Sequence, residues 1–198
     1  MKNIQTPGKI FVISASSGAG KTTLVNLVLE KLKPTIYIDK VITYTTREPR
    51  KSEVPGLDYH FICKEEFLLK IEEGFFIEWS QVYGNYYGSP KYILDELPNK
   101  SWILILDFAG AKTIKESVHD SVLIWIEILS LEILEQRLKL RGDLPEQIQK
   151  RLMLAKNEFE LINKNLIFDY KFKNDVLKDS ITCLEQIILF QLNNRSDR

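Results

Sequence analysis

Ten residues constrain this chain more than any others: Ser14-Ala15-Ser16-Ser17-Gly18-Ala19-Gly20-Lys21-Thr22-Thr23, set directly after the apolar run KIFVI. They come within one residue of G-x-x-x-x-G-K-[ST], with Ala15 in place of the first glycine. In that pattern backbone N–H groups wrap phosphates, the lysine reaches the outer ones, and the hydroxyl after it binds Mg²⁺. Gly18 and Gly20 supply the backbone freedom a loop needs to curl around an anion. From Thr22 the run TTLVNLVLEKLK carries apolar residues at helical spacing, so a helix N-terminus also faces the anion. Alanine suits position 15 wherever its φ is negative. An ordinary Gly-rich turn has no need of the Lys-Thr pair. The expectation is a nucleoside triphosphate site built from Ala15, Ser16, Ser17, Gly18, Ala19, Gly20, Lys21, Thr22 and Thr23, with the Thr22 hydroxyl on the Mg²⁺ side.

The bulk properties narrow what surrounds such a site. At 198 residues the chain suits one domain with a substantial core, and 44% apolar with 27% charged residues is ordinary for a soluble protein. Lys+Arg and Asp+Glu balance at 27 each, so no global field argues for nucleic acid or an anionic membrane. The start, MKNIQTPGK, lacks the apolar segment of a signal peptide, and the run SVLIWIEIL is too short to span a bilayer. Two separated cysteines, Cys63 and Cys183, suit reduced thiols, and two histidines, His60 and His119, do not make a multi-histidine metal site. The expected compartment is the cytoplasm.

Strand-like and helix-like segments alternate, the pattern of an α/β fold with a mostly parallel sheet. KIFVIS reads as the first strand and residues 20–33 as the first helix, stopped before Pro34, with a second strand within IYIDKVITYT. Residues 47–88 break the rhythm with a polar loop, a short strand YHFIC, a short helix KEEFLLKIEEG and a strand FFIEW. Residues 43–89 therefore read as a small α+β insert. A helix over 90–97, a buried strand WILILD, a helix after Gly110, a strand VLIWIEI and a helix LEILEQRLKLR follow. A polar break GDLPEQ, a helix to about residue 165, a strand FDYKF and a final helix VLKDSITCLEQIILFQL complete the chain. Trp79, Trp102 and Trp125 fall in strands and are expected in the core, as are the two cysteines.

The insert holds the second group of candidate residues. Arg47 and Arg50, three apart in a Thr-rich turn with Pro49 fixing the backbone, can grip a phosphate bidentately. Residues 84–89, GNYYGS, read as a loop whose tyrosine hydroxyls donate to phosphate and whose glycines admit close approach. Glu78 bears on base identity. Guanine presents N1–H and N2–H₂ as adjacent donors that one carboxylate accepts together, whereas adenine presents an acceptor at N1.

Taken together, Thr45-Thr46-Arg47-x-Pro49-Arg50-x-x-Glu53, Asp58-Tyr59-x-Phe61, Phe76-Ile77-Glu78-Trp79 and Gly84-Asn85-Tyr86-Tyr87-Gly88-Ser89 closely resemble guanylate kinase, over about residues 9–192. The resemblance implies a phosphate-loop NTPase core with a parallel sheet flanked by helices, comprising residues 1–42 and 90–198. It also implies a GMP-binding insert over about 43–89 and a helical lid over about 141–151, all in a single domain. It implies transfer of the γ-phosphoryl of ATP to GMP with Mg²⁺, and no nucleic-acid, membrane or obligatory protein partner. Arg47, Arg50, Tyr59 and Tyr87 resemble the GMP phosphate clamp, and Glu53 the acid that braces the arginines. Glu78, Ser89 and Thr43, the last standing where serine is usual, resemble the guanine contacts. Lys21 resembles the lysine on the transferring phosphate. Arg137, Arg141 and Arg151 resemble the lid arginines that close over the triphosphate, and Asn174, followed by Asp175, resembles the pair near the adenine pocket. Arg137 and Arg141 share one helix face at their spacing of four.

Departures from the family pattern bear on rate and metal affinity. Where the family usually reads Asp-Ile-Asp-x-Gln-Gly, this chain reads Ile105-Leu106-Asp107-Phe108-Ala109-Gly110, so that Asp107, assigned to the GMP side, is the acid that remains. The lid carries Pro145 and is one residue shorter than usual, and Ser52 replaces a common glycine. Alanine at the position of Ala15 is common in bacterial members. Two rivals remain at this point. One is a guanylate-kinase-like binding module that has lost catalysis, favoured by Ile105 and opposed by the intact Lys21, Thr22 and arginines. The other is a phosphate-loop kinase for another phosphorylated acceptor, such as a sugar bisphosphate, opposed by Glu78 and the Tyr-Tyr-Gly-Ser run.

Overall fold

The computed structural model describes residues 8–16, 18–164 and 167–194. Five strands form one parallel sheet in the order β2-β7-β1-β8-β9: β1 Ile10–Ser14, β2 Ile38–Lys40, β7 Ser101–Leu106, β8 Val122–Glu127 and β9 Tyr170–Lys173. The central strand β1 is buried along its whole length, as a parallel strand covered on both faces must be. Its side chains alternate between two cores. Phe11 and Ile13 join Leu24, Val28, Leu184 and Ile188, which are supplied by α1 (Lys21–Leu32) and α7 (Leu177–Asn193). Ile10 and Val12 join Trp102, Leu104 and Leu123, together with Ala111 and Ile114 of α4 (Phe108–Ser117). The period-2 alternation of a strand thus places helices on both sides of the sheet.

The chain leaves this sheet after β2 and builds a second one. β3 (Thr43–Thr45) pairs parallel with β4 (Tyr59–Phe61) and antiparallel with β6 (Asn85–Pro90), which pairs antiparallel with β5 (Phe76–Val82). α2 (Lys64–Glu72) covers one face through Phe67, whose ring stacks on Phe76 at 4.5 Å. The remaining elements are α3 (Ile93–Glu96), α5 (Leu131–Leu140) and α6 (Pro145–Lys164). No helix among the described residues is long and apolar enough to cross a membrane.

The structure departs from the sequence expectations in places that have a physical reason. Within residues 84–89, expected as a loop, Asn85 to Ser89 belong to strand β6. Val82 pairs with Asn85 across a two-residue turn, in which Tyr83 (φ 52) and Gly84 (φ 82) both take positive φ. That combination is what a tight hairpin requires, so a glycine marks the turn rather than a loop. The helix expected over 90–97 shrinks to α3, because Pro90 still belongs to β6. The single strand expected in IYIDKVITYT is two, β2 and β3, in different sheets. Helix α4 starts at Phe108, not after Gly110, because Asp107 caps it by accepting the Gly110 N–H at 2.8 Å. Trp102 and Trp125 are in the core, but Trp79 is 46% exposed, since the sheet of the insert is only partly covered. Cys63 is exposed and Cys183 half-buried.

Because Phe67 is the large side chain fully buried under the second sheet, Phe67→Ala is expected to lower unfolding stability by about 3–5 kcal/mol. In the same urea titration, Leu129→Ala, at an exposed position, is expected to change stability by less than about 0.5 kcal/mol.

Candidate functional site

The carboxyl ends of β1 and β7, the phosphate-loop segment before α1, the second sheet and the α5–α6 turn surround one cleft of about 520 Å³. Its position outside the carboxyl ends of a parallel sheet is where such folds bind ligands. Outward, between residues 47–52 and the α5–α6 turn, lies a second recess of about 830 Å³ that shares Arg47, Arg50, Tyr83, Tyr87, Arg141 and Arg151 with the first.

At the inner end, Gly18 (φ 96) and Gly20 (φ 87) take the left-handed conformations that turn the chain from β1 into α1. Ala15 is buried with no positive φ, so the absent glycine costs the backbone nothing. Ser52 likewise avoids positive φ. Lys21, the first residue of α1, folds back so that Nζ donates to the carbonyls of Ala15 at 2.5 Å and Ser16 at 3.3 Å. Burial lowers its pKa to about 8, against the charges of Glu158 and Asp107. The Ala19 carbonyl receives the Asn174 amide at 2.9 Å and an Arg137 guanidinium N–H at 3.4 Å. Asn174 is thus buried as a brace beneath the loop, and Arg137 is already turned toward it. Thr22 and Thr23 line the cleft. Ser17 lies outside the described residues.

The other end of the cleft is built on the second sheet. Glu53 holds both arginines: Arg47 Nη2 donates to its two oxygens at 2.8 and 2.9 Å, and Arg50 donates through Nη1 at 3.0 Å and its backbone N–H at 2.8 Å. Although burial opposes it, the Arg50 N–H and the Arg47 guanidinium hold the Glu53 carboxyl below its ordinary pKa. Arg47 also lies over the Tyr59 ring at 5.4 Å, and Tyr59 meets Tyr87 edge-on at 6.2 Å. Deeper in, Glu78 is 3% exposed and accepts the Ser89 hydroxyl at 2.6 Å, two residues that the β5–β6 register places opposite each other. Desolvation raises its pKa to about 7, and the nearby Asp107 adds to the rise. Thr43 lines the same recess and is buried.

Asp107 ties the two halves together. Besides capping α4, it accepts the Ser80 hydroxyl of β5 at 2.7 Å. Ile105, the apolar residue of the departure noted above, lines the cleft and packs against the core beneath it. On the α5–α6 side, Arg141 is paired with Asp143, and Arg151 lies 3.9 Å from the same carboxylate and over the Tyr83 ring at 5.1 Å.

Of the described candidates, Ser16, Ala19, Ser89 and Asn174 are buried behind the cleft wall, and all the others line the cleft itself. The residues that sequence reasoning missed are Ser80, Tyr83, Asp143 and Glu158. Tyr83 and Asp143 flank glycines at turns and carried a local signal. Ser80 and Glu158 meet their partners across 27 and 142 residues, and no local pattern exposes that.

Comparison with known proteins agrees with this geometry. The guanylate kinase family model matches residues 7–191. Guanylate kinase of Idiomarina loihiensis is 40% identical over 187 residues, spanning 93% of this chain and 87% of that protein. Guanylate kinase of Clostridium perfringens is 41% identical over 185 residues, spanning 92% and 83%. The crystal structure of guanylate kinase from Anaplasma phagocytophilum superposes with a TM-score of 0.75 at 28% identity, covering 96% of this chain and 89% of that one. A match over nearly the whole length, on a fold whose cleft gathers the motifs, places this chain in the guanylate kinase family.

Proposed function

We infer that the chain catalyses transfer of the γ-phosphoryl group of ATP to GMP, giving ADP and GDP. The observation that carries this reading is the pairing, within one cleft, of a phosphate loop bearing Lys21 with a buried acceptor, Glu78, beside two braced arginines. In this reading the 43–89 sheet is the GMP-binding part, the stretch over about 141–151 is the lid, and the rest is the core of a single domain.

Arg47, Arg50, Tyr59 and Tyr87 hold the GMP phosphate, with Glu53 fixing the arginines rather than meeting the ligand. Glu78, oriented by Ser89, accepts N1–H and N2–H₂ of guanine, with Thr43 beside it. Asp107, fixed by Ser80 and the Gly110 N–H, faces the acceptor from the core. The ATP phosphates lie along residues 15–23. An acceptor oxygen of GMP attacks the γ-phosphorus in line as the bond to the β-phosphate oxygen breaks, and ADP leaves with that electron pair. Lys21, Arg137, Arg141 and Arg151 offset the charge that spreads over the moving group. Closure of insert and lid aligns the two substrates and keeps out water, which would otherwise take the phosphoryl group. The GMP phosphate is largely ionised near neutral pH, so no strong general base is needed.

Mg²⁺ fits this site. Among the described residues no group of three or more His, Cys, Asp or Glu is placed to hold a metal ion, but Mg²⁺ commonly takes one or two protein ligands and completes its shell with phosphates and water. The Thr22 hydroxyl, next to Lys21 in the cleft wall, would hold it there. When bound, it would offset phosphate charge.

Supplied with ATP and Mg²⁺ and, separately, GMP, AMP, CMP or UMP, the protein is expected to form ADP strongly with GMP alone. A folded protein that binds GMP and turns over with none of them would contradict the reading. Because Glu78 carries a pKa raised to about 7 and only its ionised form accepts both guanine donors, kcat/KM for GMP is expected to fall about tenfold per pH unit below 7. The sign for folding is opposite. A carboxyl whose folded pKa exceeds its unfolded value of 4.5 binds more protons when folded, so its contribution to stability is lost as pH rises through 4.5 toward 7. Glu78→Gln is therefore expected to unfold at a higher temperature than the parent at pH 8 while losing GMP turnover. Pairing the pH profile with thermal melts checks both directions.

A further inference from the structure

Glu158 of α6 has no place in the nucleotide contacts above, yet it reaches into the phosphate loop. Its Oε2 accepts the Ser16 hydroxyl at 2.7 Å, and Ser16 is itself buried. Lys21 grips the same stretch from the other side, through the carbonyls of Ala15 and Ser16. To reach a phosphate, Lys21 must release those carbonyls, after which the Ser16 side chain is still held by Glu158 and its carbonyl by the Ala19 N–H. A carboxylate here opposes incoming phosphates, and burial already pushes its pKa up. That cost needs an offsetting purpose.

The purpose lies along the helix. Seven residues, close to two helical turns, separate Arg151 from Glu158, so both leave α6 on the same side. At the Arg151 end the guanidinium lies over the ring of Tyr83 at the tip of the β5–β6 hairpin. That tyrosine takes a positive φ, a conformation that costs energy for a side chain of its size. Helix α6 therefore spans from the phosphate loop to the acceptor side, with an anchor at each end.

We propose that Glu158 is a positioning residue that, through Ser16, fixes α6 and the Arg151 guanidinium it carries against the phosphate loop. The hydrogen bond to Ser16, not the charge, carries the effect. This inference rests on the kinase reading, so ATP-dependent GDP formation by the parent protein is measured first; if that fails, the reading fails, and the variants do not bear on it. With an active parent, Glu158→Ala is expected to lose between about 10- and 100-fold in kcat/KM for ATP. Calorimetric GMP binding is expected to stay within about twofold, because the acceptor site is built on a separate sheet. Glu158→Gln, which keeps an acceptor for the Ser16 hydroxyl, is expected to recover to within about threefold of the parent. Ser16→Ala is expected to match Glu158→Ala, and the double variant to be no worse than either. The proposal is overturned by parent-like ATP kinetics in Glu158→Ala, by a Gln variant as poor as the Ala variant, or by losses that add in the double variant. Equal loss of GMP binding would also overturn it, since that marks a general structural defect.

Discussion

The structure depends on a lysine ammonium drawn back, half-buried, into the cleft wall at the point where the buried strand β1 turns into α1. Among the described residues, Lys21 has no carboxylate in hydrogen-bond contact, and its hydrogen-bond partners are two backbone carbonyls of its own loop. Removing an ammonium from water without a full counter-charge is costly, and the lowered pKa expresses that cost. The core tolerates it because β1, buried from Ile10 to Ser14, and α1, packed through Leu24, Val25 and Val28, fix the loop between them. An ammonium so placed is prepared in advance for an anion, which would replace the weaker carbonyl partners.

The same arrangement recurs around the cleft. Arg47 and Arg50 rest on Glu53, Arg141 on Asp143, and Arg137 on the Ala19 carbonyl. Each of these guanidinium groups has a partner that orients it and, with five N–H donors, keeps others to spare. Holding the arginines in place beforehand reduces the side-chain entropy lost when substrate arrives. Glu78 is the mirror image, an acid whose carboxyl pKa is pushed up to about 7 by burial. These opposite perturbations, a lysine pushed down and a carboxyl pushed up within one cleft, are the pattern expected where charge is to be handled.

Much of this was legible in the sequence because the informative contacts are local. The phosphate loop lies between a strand and a helix that its flanking residues specify, and Arg47, Arg50 and Glu53 act within seven residues of one another. Glu78 stands out through the donor pattern of guanine and Ser89 through motif resemblance, and their contact follows from a hairpin register. What was missed depends on long-range packing. The run GNYYGS read as a loop because its glycines resemble breakers, whereas its pairing with both β3 and β5 makes it a central strand. Trp79 read as core because a strand tryptophan usually is, but the second sheet leaves that face open. Asn174 resembles a nucleotide contact by its motif, and only long-range packing shows that its amide also donates to the loop carbonyl of Ala19. Glu158 sits in a 20-residue helix with nothing local to distinguish it from its neighbours.

The apolar Ile105 lining the cleft leaves Asp107 as the acid on that strand end, held by Ser80 and by its own helix cap. Such a cleft transfers a phosphoryl group directly only if it keeps water from the γ-phosphorus. The most direct test is a rapid-quench single turnover with ATP labelled in its γ-phosphate, GMP and Mg²⁺. The label is predicted to move from ATP into GDP in one phase, with none on the protein and little inorganic phosphate. Label bound to the protein, or released mainly as inorganic phosphate while GMP is present, would contradict the account.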